Sequence, residues 1–476
     1  MTVTESTTGN GVLGQRLLRK EDPALLTGEA VYTNDMKVPG ALWLAVLRSP
    51  FAHARITSID VSGALAIDGV HSAHTGADLA DSWASPMPCA WPVTDDMKNP
   101  AHYPLAVDKV AYVGDGVVAV LAESEAIAHD ALDAIDVEYE PLPAVLDLEE
   151  AMQDELVIHD DIGTNVSYTW PLLIEENEGD VERAFADAAY TVSERYVQQR
   201  LIPMAMEPRA VVAMPQPFGG DMTLYSATQV PHILKVMAAL TLGIPEHQMR
   251  VICPAVGGGF GSKLNVYAEE LLCVALARRL HTPVRWNEER SENAQATTHG
   301  RAQIQYVDLA ADADGKLTAM KVRLVGDMGA YLQLVTPGVP LLGAFLYGGV
   351  YELPKAFDFS CTSVFTTMTP TDAYRGAGRP EATYAIERAM DELAATMGLA
   401  PDEIRRRNFI PTDAFPSDSC AGLTWDSGDF EPALDKALDL VGWTARKAEQ
   451  DQRRAAGSTK HLGLGISSYA EMCGLA

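Results

Sequence analysis

The sequence predicts an α+β chain, and three observations predict it. Its 476 residues suffice for about three domains at roughly 150 residues each, each large enough to bury its own core. Short apolar runs alternate with stretches of helical periodicity, first over residues 41–140 and again over 191–286. Between them, residues 147–180 carry eleven acidic side chains and neither lysine nor arginine, the composition of a solvated connection. The expected divisions are a first domain over 15–146, an acidic linker over 147–180, a second domain over 181–412 and a third over 413–476.

In the first domain, residues 41–47 are an apolar run closed by Arg48-Ser49-Pro50, a strand with a turn behind it. Residues 116–121 form a second strand. Ile127, Ala128, Ala131, Leu132 and Ile135 then fall at helical spacing, and a strand resumes at 137–140 before Pro141 and Pro143 stop it. Strand, helix and strand in that span predict a right-handed crossover. In the second domain, Asp180 caps a helix over 181–189, and strands follow over 191–198 and 223–227. Pro231 suits the first position of a helix that runs to Gly243. A strand over 250–253, a glycine-rich loop, a helix over 266–280 and a strand over 283–286 come next. Apolar residues from Ala385 to Met397 mark a helix over 381–397, which Gly398 ends. Pro401 opens one more, with Asp402 and Glu403 in its first turn and Arg405, Arg406 and Arg407 near its end, as the helix dipole favours.

A net charge of −29 argues against a nucleic-acid partner, whose phosphates would be repelled. No apolar run approaches the roughly 20 residues of a membrane span, and residues 1–11 lack the basic-then-apolar pattern of an export signal. A cytoplasmic chain is expected. Cys89, Cys253, Cys273, Cys361, Cys420 and Cys473 form no CxxC pair, so reduced thiols are expected, with no zinc or iron–sulfur site on this chain. There is no GxSxG for a serine hydrolase. His53 has no metal-ligand partner at useful spacing and reads as structural.

Three segments could carry chemistry. Residues 256–263, Val-Gly-Gly-Gly-Phe-Gly-Ser-Lys, lie between a strand and a helix, where backbone amides can approach an anion. The segment matches neither a phosphate loop nor GxGxxG; it could be no more than a tight turn, although Phe260 among glycines needs something to pack on. In residues 225–232, Gln229 can donate and accept, which suits a heterocycle or an oxo group. Equally, Thr228 and Gln229 could only cap the next helix. Residues 372–381 hold Arg375 and Arg379 around Gly376-Ala377-Gly378 just before a helix, so positive charge and exposed amides coincide. Arg379 could instead pair with Glu381 at the surface. Together the three loops could converge on one extended polar cofactor.

The order of these segments resembles the molybdenum-cofactor-binding large subunit of the xanthine dehydrogenase/aldehyde oxidase family, with its nearest look to carbon monoxide dehydrogenase large chains. The residues around Arg19-Lys-Glu-Asp-Pro23 and Leu47-Arg-Ser-Pro-Phe-Ala-His-Ala-Arg-Ile56 look like that family's α/β hammerhead domain. Met206-Glu-Pro-Arg209, Thr228-Gln229, the glycine-rich loop, Arg290-Ser-Glu292, residues 373–381 and residues 399–408 recur in family order. The resemblance implies a hammerhead domain followed by the first part of a molybdenum-cofactor domain. It places Gln229, Gly259, Phe260, Gly261, Arg375 and Gly376 at the cofactor, and Leu264, Tyr374 and Ala377 at the substrate pocket. It implies molybdopterin cytosine dinucleotide–molybdenum on this chain, and 2Fe-2S clusters and FAD on a small and a medium partner subunit. The complete assembly that the resemblance implies is a dimer of heterotrimers. The activity implied is hydroxylation of an aldehyde, an N-heterocycle or carbon monoxide, with water as oxygen source and electrons leaving through the partners.

Three departures qualify this. Gly376 follows Tyr374-Arg375 where copper-containing carbon monoxide oxidisers carry cysteine, so the soft ligand that Cu(I) needs is missing. The loop thus resembles the second form of these large chains. Leu264 stands where purine-oxidising relatives have glutamate, which disfavours xanthine. Family large subunits also continue several hundred residues further, to a late glutamate that acts as base; it is expected beyond Ala476, and Glu471 is not that residue. The chain then reads as a fragment or truncated copy, expected to hold no molybdenum if translation ends there. A remnant that only docks partner subunits is the rival reading.

Overall fold

A computed structural model describes residues 15–172, 180–216 and 221–472. Its main sheet has seven strands. Strand Leu42–Arg48 pairs antiparallel with Gly116–Ala122, whose other edge takes Val70–Thr75. On its opposite side Leu42–Arg48 runs parallel to Val284–Asn287, and the sheet continues through Ala210–Pro215, Met222–Ser226 and Met249–Ile252. Three strands thus come from before the acidic stretch and four from after it. Gly116–Ala122 is buried along its whole length, as an uninterrupted Val/Ala/Leu run covered on both faces must be.

The strands Leu42–Arg48, Met222–Ser226, Met249–Ile252 and Val284–Asn287 point the same way. Their carboxyl ends therefore share one edge, the edge at which open α/β sheets bind ligands. Helix Pro231–Leu242 connects the second of these to the third and ends on Gly243 at φ +63°. Helix Ala268–Leu280 leads into the fourth and buries Leu271, Leu272, Val274 and Leu276 against the sheet.

A second sheet of five strands runs in the order Val166–Leu172, Ala356–Phe365, Leu317–Gly329, Gly300–Ala311, Tyr190–Leu201. Helix Arg379–Met397 lays Ala382, Ala385, Ile386, Ala389, Met390 and Leu393 into the core of that sheet, beside Ile304, Leu324 and Phe359. The apolar spacing from Ala385 to Met397 is what puts these side chains on one face.

Several expectations are corrected by the fold. Residues 116–141 make no crossover within one sheet, because Asp136–Pro141 pairs antiparallel with Ala54–Asp60 in a separate three-stranded sheet. Nor are residues 147–180 a plain linker. Asp147 caps helix Leu148–Ala151 by accepting the amides of Glu149 and Glu150, and Val166–Leu172 is an edge strand of the second sheet. Its described acids sit at caps, turns and the first turns of helices while Leu148, Ile158 and Tyr168 are buried; Glu175, Glu176 and Glu178 lie outside the described residues. The helix expected over 181–189 is Asp180–Asp187. Strands Gly300–Ala311, Leu317–Gly329 and Ala356–Phe365 were not anticipated. Towards the end of the chain, helices Phe430–Val441 and Trp443–Ala455 flank a groove of about 620 Å³ lined by Leu434, Leu438, Trp443 and Ile466. Among the described residues no helix is long and apolar enough to cross a membrane, and the five described cysteines are free. Cys473 lies outside the described residues.

Candidate functional site at the carboxyl edge of the main sheet

The glycine-rich loop follows strand Met249–Ile252 but does not open the next helix. Four residues separate Lys263 from Ala268, and Tyr267, the last of them, is the cap. The loop is held from two sides instead. Gln229 Oε1 accepts the amides of Gly261 (2.8 Å) and Lys263 (3.3 Å). Glu207 Oε2 accepts the Gly257 amide (2.6 Å) and pairs with Lys263 Nζ (2.8 Å). The Lys263 side chain is 1% exposed, and burial lowers the pKa of its ammonium. Turned inward, it cannot reach a phosphate, unlike the lysine of a nucleotide loop. Gln229 is not a helix cap: helix Pro231–Leu242 has no side-chain cap, and the neighbouring hydroxyl of Thr228 accepts the Val230 amide.

With its ends tied, the loop leaves the amides of Gly258, Gly259 and Phe260 without a protein acceptor among the described residues. A Cβ at Gly259 would lie 2.3 Å from Gln229 Oε1, and one at Gly261 (φ +99°) 2.0 Å from the Ala373 carbonyl oxygen. Both glycines are therefore required by close approach, and Gly261 by conformation as well. Phe260 takes φ +54°, a strained setting for an aromatic residue, and the residue is 43% exposed.

The second loop meets the first directly. The Arg375 amide donates to the Phe260 carbonyl (2.9 Å), and the exposed Arg375 guanidinium stands 5.7 Å from the Phe260 ring centroid. Gly376 (φ +103°) has no space for a side chain, since a Cβ would fall 2.4 Å from Pro380 Cγ. Ala377 takes φ +42° and donates its amide to the Tyr374 carbonyl. Arg379 does not pair with Glu381: it donates to the Gly376 carbonyl (2.9 Å), while the buried Glu381 pairs with Arg301 (3.1 Å). Leu264 donates its amide to the Gly261 carbonyl (3.0 Å). Asp372, buried, accepts from the Ala373 amide, the Val335 amide and Asn265 Nδ2, so the segments behind Leu264 and before Tyr374 share one anchor. Burial pushes the Asp372 carboxyl up to about 6. Gln229, Gly259, Phe260, Gly261, Leu264, Tyr374, Arg375, Gly376 and Ala377 thus gather at one place.

Sequence reasoning missed the groups that hold these loops, Glu207, Asp372, Arg301 and a charge network behind them. Arg209 Nη1 pairs with Glu269 (2.8 Å) and Nε donates to Glu288 (2.8 Å), while its guanidinium lies 3.8 Å from the Tyr267 ring centroid. Arg209 Nη2 is 2.7 Å from Glu288 Oε1 but off the hydrogen-bonding direction, a charge contact only. Arg48, at the end of strand Leu42–Arg48, reaches both Glu269 (2.7 Å) and Glu292 (2.8 Å). Tyr267 Oη donates to the Ser262 carbonyl (2.6 Å), joining this network to the loop. Met206-Glu-Pro-Arg209 was the available signal.

Next to this network Glu270 accepts from Ser226 Oγ (2.6 Å) and the Tyr267 amide (3.0 Å), and burial pushes its carboxyl up to about 7. The folded state then binds the extra proton between the ordinary glutamate value and about 7, so ionising Glu270 costs stability as pH rises through that window. Glu270→Gln keeps both contacts, because Ser226 Oγ can accept as well as donate. It is expected to raise the melting temperature at pH 8 by a few degrees and to leave it unchanged near pH 4.5. An equal effect at both pH values in thermal melts would contradict this.

Residues 158–409 match the molybdopterin cofactor-binding domain, and residues 27–143 the a/b hammerhead domain of aldehyde oxidase and xanthine dehydrogenase. The chain belongs to the molybdopterin-binding large-subunit family of these enzymes. The nicotine 6-hydroxylase large subunit of Paenarthrobacter nicotinovorans is 37% identical over 97% of the chain and 56% of its own length. The carbon monoxide dehydrogenase large chain of Hydrogenophaga pseudoflava is 34% identical over 96% and 58%. The crystal structure of quinoline 2-oxidoreductase from Pseudomonas putida 86 superposes with a TM-score of 0.87 at 37% identity, over 93% of the chain and 56% of that structure. The chain thus spans somewhat more than half the length of these relatives. It spans 98% of the nicotinate dehydrogenase large molybdopterin subunit of Eubacterium barkeri, at 31% identity over 91% of the chain. A mixed α/β architecture of hammerhead and cofactor domain agrees with the fold expected from the sequence.

Proposed function

We propose that this chain is the catalytic large subunit of a molybdenum hydroxylase, or the first part of one, oxidising an N-heterocycle or an aldehyde with water as the oxygen source. The observation that carries this is the cradle between the two loops: three unengaged amides beside Gln229 and Arg375, with glycines where a Cβ would close the space. An anionic pterin dinucleotide fits that chemistry. Among the described residues no group of His, Cys, Asp or Glu could hold a metal ion, so the metal would arrive on the cofactor. When bound, molybdopterin cytosine dinucleotide–molybdenum supplies the two-electron oxidation.

This chain's residues orient and bind. The Gly258, Gly259 and Phe260 amides donate to the cofactor, Gln229 keeps its Nε2 hydrogens free to donate, and Arg375 adds a positive charge at the rim. Leu264 and Tyr374 present apolar surface to the substrate, which favours a neutral ring over an anionic purine. Carbon monoxide is disfavoured, because the space at Gly376 has no room for the thiol that would bind copper. Iron–sulfur and FAD subunits, arranged as a dimer of heterotrimers in the cytoplasm, would take the electrons. The names of the relatives support this reading: nicotine, quinoline and nicotinate are N-heterocycles, and several are subunits of larger enzymes.

Metal and pterin analysis of the chain purified with its co-purifying subunits tests it, followed by dye reduction with N-heterocycles, aldehydes and carbon monoxide. About one molybdenum and one pterin per chain, with turnover of a heterocycle or aldehyde, is expected. Protein without pterin would overturn the reading in favour of a subunit that only docks partners.

A further inference from the structure

Arg301 and Ala302 are consecutive non-glycine residues with positive φ, +65° and +54°, inside strand Gly300–Ala311. Isolated left-handed residues belong in turns, and two in succession within a strand are a strained arrangement that the surroundings must impose. The strain corrects no slip in pairing, since Arg301 faces Arg200 and Gln303 faces Gln198 in one continuous register. What it changes is where Arg301 points.

Arg301 Nη1 donates to the Tyr374 carbonyl (2.9 Å) and Nη2 to the Arg375 carbonyl (2.8 Å). The same guanidinium pairs with Glu381, 1% exposed, and lies 4.6 Å from the Tyr374 ring centroid. Gly300 lets the loop come this close: a Cβ there would sit 2.4 Å from Tyr374 Cβ. One planar fork therefore fixes two successive carbonyls, and a second face holds the aromatic side chain between them, which lysine could not do. With both carbonyls turned towards Arg301, the amide of Gly376 and the side chain of Arg375 are left for the other side.

We propose that Arg301 is a positioning residue, held in strained backbone so that its guanidinium fixes the Tyr374–Ala377 loop against the cofactor and substrate. The proposal rests on the reading of this edge as the hydroxylase site, although its first test does not. Strain kept for function predicts a separation of stability from loop order: glycine at this position relieves the backbone and removes the fork.

Arg301→Gly, Arg301→Lys and wild type are compared in the full chain with its co-purifying subunits. Trypsin cleavage at the exposed Arg375–Gly376 bond reports loop order without cofactor or activity. Because Arg301→Gly alone would leave the buried Glu381 without a counter-ion, it is made together with Glu381→Gln, and the pair is expected to keep the melting temperature within a few degrees of wild type while that cleavage accelerates at least 10-fold. Arg301→Lys is expected to fall between that double variant and wild type. In the loaded enzyme, KM for the substrate is expected to rise at least 10-fold with a smaller change in kcat. Unchanged cleavage in the folded double variant overturns the clamp. Accelerated cleavage with unaltered kinetics overturns its role in the site. A wild type lacking pterin overturns the hydroxylase reading alone, and cleavage then decides the clamp.

Discussion

Arg209→Met is expected to lower the melting temperature by on the order of 10 °C. The substitution preserves length and much of the apolar contact with Tyr267 and Trp286. It strips the partner from Glu288 and half the partnership from Glu269, both buried. Breaking a buried pair from one side costs about 3–5 kcal/mol, because the remaining charge has neither water nor a counter-ion. A large part of that cost is therefore recoverable. Arg209→Met with Glu288→Gln is expected to melt closer to wild type than the single variant, since the abandoned charge is gone. The pH dependence has a defined sign. Arg209 and Arg48 hold the Glu269 carboxyl down at about 2 against the penalty of burial. Its contribution is present above the ordinary glutamate value and is lost as pH falls through about 2. The wild type should thus lose stability between about pH 4.5 and 2, and Arg209→Met should lose less there. Thermal melts across that range check both statements.

Gly261→Ala is expected to cost the protein its pterin, with occupancy falling to less than about one-tenth, while the chain stays folded. Two effects add. Alanine is disfavoured at φ +99° by about 1 kcal/mol or more. The stronger effect is steric: the new Cβ would lie 2.0 Å from the Ala373 carbonyl oxygen, which forces the two loops apart where the Arg375 amide meets the Phe260 carbonyl. The exposed Gly28, at φ +76° with nothing within 4 Å of where a Cβ would sit, tells the two effects apart. Gly28→Ala carries the conformational cost alone and should leave pterin content unchanged. Pterin fluorescence after acid oxidation reads both. Equal occupancy in Gly261→Ala and Gly28→Ala would show that close contact between the loops is not what forms the cradle.

Much of this site was legible in the chain as written. The glycine-rich loop, Gln229 and the Tyr374-Arg375-Gly376 segment announce themselves because glycine and proline are local signals, and each lies between a strand and a helix. Of their supports only the Met206-Glu-Pro-Arg209 run was legible, without its contacts. Glu207 binds an amide fifty residues away, and Arg301 reaches two carbonyls more than seventy residues away. Nothing in the Arg301-Ala302 pair announces left-handed backbone. The long strands Gly300–Ala311 and Leu317–Gly329 escaped notice because they are buried along most of their length, which blurs the alternation that marks a half-exposed strand.

The acidic stretch shows the same division in reverse. Its charge was plain, but composition could not say that Val166–Leu172 would pair with Ala356–Phe365 across the chain. Alone, the sequence determined the family, the helices that carry a strong apolar period, and the loops that must be glycine. Tertiary structure alone decided that one sheet would join strands from both sides of that stretch, which carboxylates would be buried beside Arg209, and how Arg301 would be aimed. Local preference acts over a few residues, whereas strand pairing and buried charge depend on partners that the chain brings together only by folding.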